Sequence, residues 1–152
     1  MTSAYYTMGD TAKLLSVTEQ CHRLYLENNM PEAAASVWPM LIYYYVKTGQ
    51  TSSAQSLMND FEQNSGLFDT NGNIVSDRED YYFTKGMYYL SLDRLDSSEF
   101  FFRNLRQPQY DYYRFKGLLE VYQSRGIPDS ICLYSRLYTE GVEHMLDEKC
   151  AL

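Results

Sequence analysis

At 152 residues with a net charge of −7 and a pI near 4.7, the chain has the length of one domain and lacks the basic surface that nucleic-acid phosphates or an anionic membrane require. Sixteen tyrosines and seven phenylalanines predict a core of half-buried rings whose hydroxyls stay partnered or wet. The longest apolar run, Met40–Val46, falls far short of the roughly 20 residues needed to span a membrane, and Met1–Tyr5 shows none of the charge-then-apolar pattern of a signal peptide.

In chain order, Leu14, Val17, Cys21, Leu24 and Tyr25 recur at helical spacing between Asp10 and Asn28 and predict a first helix stopped at Asn28-Asn29. Pro31 and Glu32 suit the first turn of a second helix, which Pro39 is expected to cut short. Met40 to Thr48 then forms a third helix, ended by Gly49. Thr51 or Ser52 is expected to cap a fourth, with Ala54, Leu57, Met58 and Phe61 inward. Residues 64–77 interrupt the series. There Asn71-Gly72 between Leu67-Phe68 and Ile74-Val75 reads as a tight hairpin or compact loop inserted into a repeat of about 34 residues.

Asp77 or Asp80 opens a fifth helix carrying Tyr82, Phe83, Gly86, Tyr89 and Leu90, and Asp93 ends it. Asp96 and Glu99 resemble a capping box for the sixth, whose inner face is Ser98, Phe101, Phe102 and Leu105. After Pro108, Tyr112, Phe115, Leu118, Leu119 and Tyr122 make the seventh helix, stopped by Gly126. Pro128-Asp129 starts the eighth, with Ile131, Tyr134, Leu137 and Tyr138 inward.

One spacing recurs at four of these junctions: Tyr25–Asn29–Ala34, Tyr45–Gly49–Ala54, Tyr89–Asp93–Ser98 and Tyr122–Gly126–Ile131. Each is a tyrosine, a helix-stopping residue four on and an inward residue five further. The expected fold is therefore all-α: a single domain over residues 1–152, built as a right-handed stack of about four antiparallel helical hairpins with one inserted loop near 64–77.

Tyr82, Gly86, Tyr89, Ser98 and Phe102 stand at the large-small-large-small-large spacing of a tetratricopeptide repeat, which the chain resembles. The stretches Ser65–Asp69, Tyr81–Leu90 and Leu95–Arg103 are similar to repeat proteins of Bacteroidetes bacteria. That resemblance, over roughly residues 41–140, implies the sensory part of a longer, exported signalling protein in the periplasm or cell envelope. Without it, the cytoplasm is the default compartment.

A hairpin stack implies a surface for a protein or peptide partner. Candidate partner-binding residues on its inner helices are Tyr43, Lys47, Phe83, Met87, Lys116 and Gln123. Lys47 and Lys116 are the basic members, and Asp80 and Glu120 oppose the carboxylate clamp known in tetratricopeptide domains. An apolar or helical peptide suits Tyr43, Phe83 and Met87 better. The competing expectations are a small-molecule sensor, self-association into a homodimer, or simple packing between repeats. Asp69, Asn71 and Asn73 begin like a calcium loop, but Ile74 replaces the turn glycine. Cys21, Cys132 and Cys150 and the two histidines have neither disulfide-framework nor zinc spacing, and no catalytic motif occurs. No cofactor and no enzymatic activity are expected.

Overall fold

The four recurring junctions adopt one geometry. In the computed structural model, which describes residues 11–150, Asn29, Gly49, Asp93 and Gly126 all lie in the left-handed region, at φ of 57°, 76°, 58° and 68°. The amide of the next residue returns to the tyrosine carbonyl each time: Met30 to Tyr25 and Gln50 to Tyr45 at 2.8 Å, Arg94 to Tyr89 at 3.0 Å, Ile127 to Tyr122 at 3.3 Å. The stop residue's own amide reaches Leu26, Val46, Leu90 or Gln123. These paired bonds form a Schellman motif, which satisfies helix-end carbonyls that would otherwise lack partners. The carbonyl of the residue after each stop then accepts from Ala34, Ala54, Ser98 or Ile131, at 3.0 Å in all four cases, and so starts the next helix. Asp10 and Met1–Tyr5 lie outside the described residues.

Among the described residues there are seven α-helices: α1 Thr11–Glu27, α2 Pro31–Lys47, α3 Thr51–Asn64, α4 Tyr81–Ser91, α5 Leu95–Arg103, α6 Asp111–Arg125 and α7 Pro128–Cys150, with a 3-10 turn at Pro108–Tyr110. The described residues hold no strand, only an isolated antiparallel bridge between Phe68 and Ile74. Helices that follow one another across a turn of two or three residues pack together: α1 on α2, α2 on α3, α4 on α5 and α6 on α7. The chain divides into two compact units, one ending at Arg78 and one beginning at Glu79.

In the first unit Pro39 does not restart the chain. It lies inside α2, which runs unbroken from Pro31 to Lys47, so the expected short second helix and third helix are one. A mid-helix proline removes one ladder hydrogen bond and costs about 3 kcal/mol. Burial of Ala34 on one side of it and of Leu41, Ile42, Tyr44 and Val46 on the other outweighs that cost. The Trp38 ring fixes the three helices, lying 5.3 Å from His22 of α1 and 5.5 Å from Phe61 of α3. Burial lowers the His22 pKa below its ordinary value. The face of α1 is rotated from expectation. Leu15 and Thr18 are buried, whereas Val17 and Leu24 are 56% and 46% exposed. Thr18 is accommodated because its hydroxyl donates to the Leu14 carbonyl at 2.7 Å.

The inserted loop folds back on α3. Asp69 accepts the amides of Asn71 and Asn73 on one carboxylate oxygen at 2.8 and 2.9 Å. The Arg78 guanidinium donates to the Ser65 carbonyl at 2.6 Å and lies 5.2 Å over the Phe61 ring. Asp69 is thus spent on its own turn.

In the second unit α5 packs against α4 and α6, and α4 also touches α6. At the middle sits Phe102, fully buried between two glycines. A Cβ at Gly86 of α4 would lie 2.5 Å from its ring, and one at Gly117 of α6 would press on the same ring still more closely. Ser98 donates to the Gly86 carbonyl at 2.8 Å, which ties α5 to α4 at the point of closest approach. The junction tyrosines close each hairpin by stacking on the ring twelve residues later, Tyr89 on Phe101 (5.4 Å, 9°) and Tyr122 on Tyr134 (5.3 Å, 12°).

Candidate functional site

A concavity lies in the second unit, where the start of α6 faces the C-terminal half of α7. Gln107 is extended, as the residue before a proline prefers, and Pro108–Tyr110 turns the chain into α6. Arg114 fastens this corner by donating to the Leu105 carbonyl at 3.0 Å and pairing with Asp111 at 2.8 Å. On α7 two rows run at four-residue spacing, Leu137–Gly141–Met145 and Glu140–His144–Glu148, so each row lines one edge of a helical face. At Gly141 the helix passes the start of α6 at ordinary contact distance, a Cβ there sitting 3.8 Å from the Tyr112 Cα.

The groove between these elements has a volume of about 610 Å3 and is lined by both rows together with Pro108, Gln109, Asp111, Tyr112 and Phe115. Its floor is aromatic and aliphatic, and Tyr112 is braced by Tyr138 with rings 5.3 Å apart. Its polar rim carries three carboxylates and one imidazole, and no lysine or arginine is among the described residues that line it.

Farther along the same helices a polar network joins α5, α6 and α7. Glu99 accepts from Tyr122 at 2.7 Å, from Arg103 at 2.9 Å and from Arg125 at 2.5 Å, and Arg103 also donates to the hydroxyls of Tyr122 and Tyr134. Burial alone would raise the Glu99 carboxyl. The hydrogen bonds from Tyr122, Arg125 and Arg103 outweigh it and hold the group at about 2. An ionised carboxylate with both oxygens engaged does not serve as a general acid near neutral pH. The expected capping box is absent for the same reason: Glu99 bonds these partners, and Arg94 occupies the N-cap without a side-chain hydrogen bond.

The residues singled out from sequence lie elsewhere. Tyr43 and Lys47 are in the first unit, with Tyr43 packed on the Leu15–Leu41–Tyr44 cluster and the Lys47 ammonium 5.6 Å over its ring. Phe83, Met87, Lys116 and Gln123 are in the second. Phe83 lies 5.8 Å from Phe102 and 5.1 Å from Tyr113 and is half-buried, and Met87 is buried. Lys116 is half-buried and Gln123 exposed, and neither lines the groove. The four-residue spacing of Glu140, His144 and Glu148 beside Leu137, Gly141 and Met145 is the signal that marks the groove.

Cys21 and Cys132 are free thiols, and the Cys150 side chain lies outside the described residues. Among the described residues, no group of histidine, cysteine and acidic side chains could hold a metal ion, and no helix is long and apolar enough to cross a membrane. Compared with models of known families, with curated proteins and with solved structures, the chain matches none.

Proposed function

We propose that the chain is a non-catalytic helical-repeat module of tetratricopeptide type whose task is to bind a protein or peptide, with the α6–α7 groove as its binding surface. The observation that carries this reading is the groove itself: an open, apolar-floored trough about the size of a ligand site, built between two helices of a hairpin. The repeat assignment is supported by the four matching Schellman junctions and by the place of Gly86, Ser98 and Phe102 in the second unit. A role as the sensory region of a larger signalling protein follows from the sequence resemblance and belongs to the same proposal. Burial of Met87 and the ring contacts of Phe83 favour α6–α7 over the inner-helix residues as the contact surface.

Selection of a random peptide library displayed on phage against the intact chain tests this. Enriched peptides are expected to bind at least about fivefold more weakly to Met145→Ala, the loss set by truncating one apolar floor side chain. A selection that enriches no peptide family, or families indifferent to Met145→Ala and Phe115→Ala, contradicts the reading.

A further inference from the structure

Resting on that recognition reading, we infer that the occupant of the α6–α7 groove is a basic amphipathic helix of a partner protein. The rim decides the sign of the charge. Asp111, Glu140 and Glu148 bring three carboxylates to the groove; Arg114 pairs closely with Asp111, which leaves Glu140 and Glu148 on α7 as the loosely held negative charge. An acidic segment would set like charges side by side, which costs specificity and association rate, whereas the −7 chain steers a cationic one inward.

The carboxylates on α7 are available for exchange. Glu140 reaches Arg136 only at 3.9 Å, with both side chains more than 60% exposed, and Glu148 reaches His144 at 3.5 Å, also in solvent. Exposed pairs of this kind contribute little, so an incoming lysine or arginine displaces them at small cost. Asp111 is held more tightly by Arg114, at 2.8 Å, and the pair is close to neutral, so the attraction rests on Glu140 and Glu148.

The spacing decides the shape. Glu140 and Glu148 are eight residues apart on one helix, about 12 Å along its axis. That distance matches basic residues seven or eight apart on a second helix lying alongside. Tyr112, Phe115, Leu137 and Met145 supply the apolar strip on which the partner's leucines rest. A compact organic cation would use one carboxylate and leave most of that strip uncovered.

The test uses the full chain and three fluorescein-labelled peptides of roughly 16 residues, long enough for four helical turns. The first is an amphipathic Leu/Ala/Lys helix with lysines flanking the apolar face. The second replaces its lysines by glutamates. The third has the same composition permuted, so that leucines and lysines share no face. Fluorescence anisotropy is expected to show the amphipathic basic peptide binding at least about tenfold more tightly than the acidic one and about fivefold more tightly than the permuted one. Glu140→Gln with Glu148→Gln is expected to weaken it about three- to tenfold and to flatten its salt dependence, with circular dichroism unchanged.

Equal binding by the acidic peptide overturns the basic assignment while leaving peptide recognition standing. Equal binding by the permuted peptide, or by the double variant, shows a diffuse charge attraction and overturns the groove as its seat. Absence of binding by all three also overturns the proposal, and the library selection then decides recognition on its own.

Discussion

Replacing Gly86 by alanine sets two opposed effects against each other, and the structure says which wins. In a helix interior, glycine to alanine ordinarily stabilises by about 0.5–1 kcal/mol, because the backbone loses less entropy on folding. At this position the new methyl would stand 2.5, 2.7 and 2.9 Å from three atoms of the Phe102 ring. The ring has little room to retreat, since Phe102 is fully buried with Gly117 pressed on it from α6 and the Phe83 ring 5.8 Å away. Overpacking a filled core costs about 1–3 kcal/mol. The net expectation for Gly86→Ala is a loss of about 0.5–2 kcal/mol, and Gly117→Ala behaves alike. Urea unfolding followed by circular dichroism measures it. A Phe102→Leu background should relieve the clash, so the cycle of Gly86→Ala with Phe102→Leu is expected to couple by about 1 kcal/mol in the rescuing direction. If Gly86→Ala raises the midpoint, or the two substitutions add, the ring does not press on Gly86 and the account of this helix contact is wrong.

Pro39→Ala should restore a ladder bond in the middle of α2 and raise stability, by up to about 3 kcal/mol, provided α2 is continuous. A fall in the melting temperature would show that the chain needs the break. Glu99 predicts an acid-sensitive second unit. Its folded pKa, about 2, lies below its ordinary 4.5, so its contribution is present above pH 4.5 and is lost as pH falls from there through 2. Glu99→Gln should remove that slope from the stability profile between pH 5 and 2, and an unchanged slope would place the acid sensitivity elsewhere.

The helix ends were the most legible feature, because few residues tolerate a positive φ and the chain places Asn29, Gly49, Asp93 and Gly126 where one is needed. The tyrosine before each stop was legible as a pattern but not as a cause. Its carbonyl closes the cap, and its ring stacks twelve residues ahead only where Phe101 and Tyr134 supply a partner. Pro39 misled because a local helix-breaking rule competes with burial on both sides of it, and burial is set by neighbours that are distant in sequence. On α1 adjacent Leu14 and Leu15 allow two stripes. The buried one contains Thr18, whose polarity hides it until the backbone acceptor at Leu14 is known. The groove was the least legible feature. Its carboxylates look like an ordinary solvated face until the register of α7 against Pro108–Tyr110 and α6 brings them beside Tyr112 and Phe115.

The central claim, that a peptide occupies the α6–α7 groove, is tested most directly by the methyl resonances of 13C-methionine-labelled chain. Met145 lines the groove, Met58 and Met87 are buried in the two units, and Met30 and Met40 are exposed on the first. Titration with a library-selected peptide is expected to shift Met145 and leave Met30, Met40, Met58 and Met87 in place. A bound peptide that shifts Met30 or Met40 and leaves Met145 unmoved would contradict it.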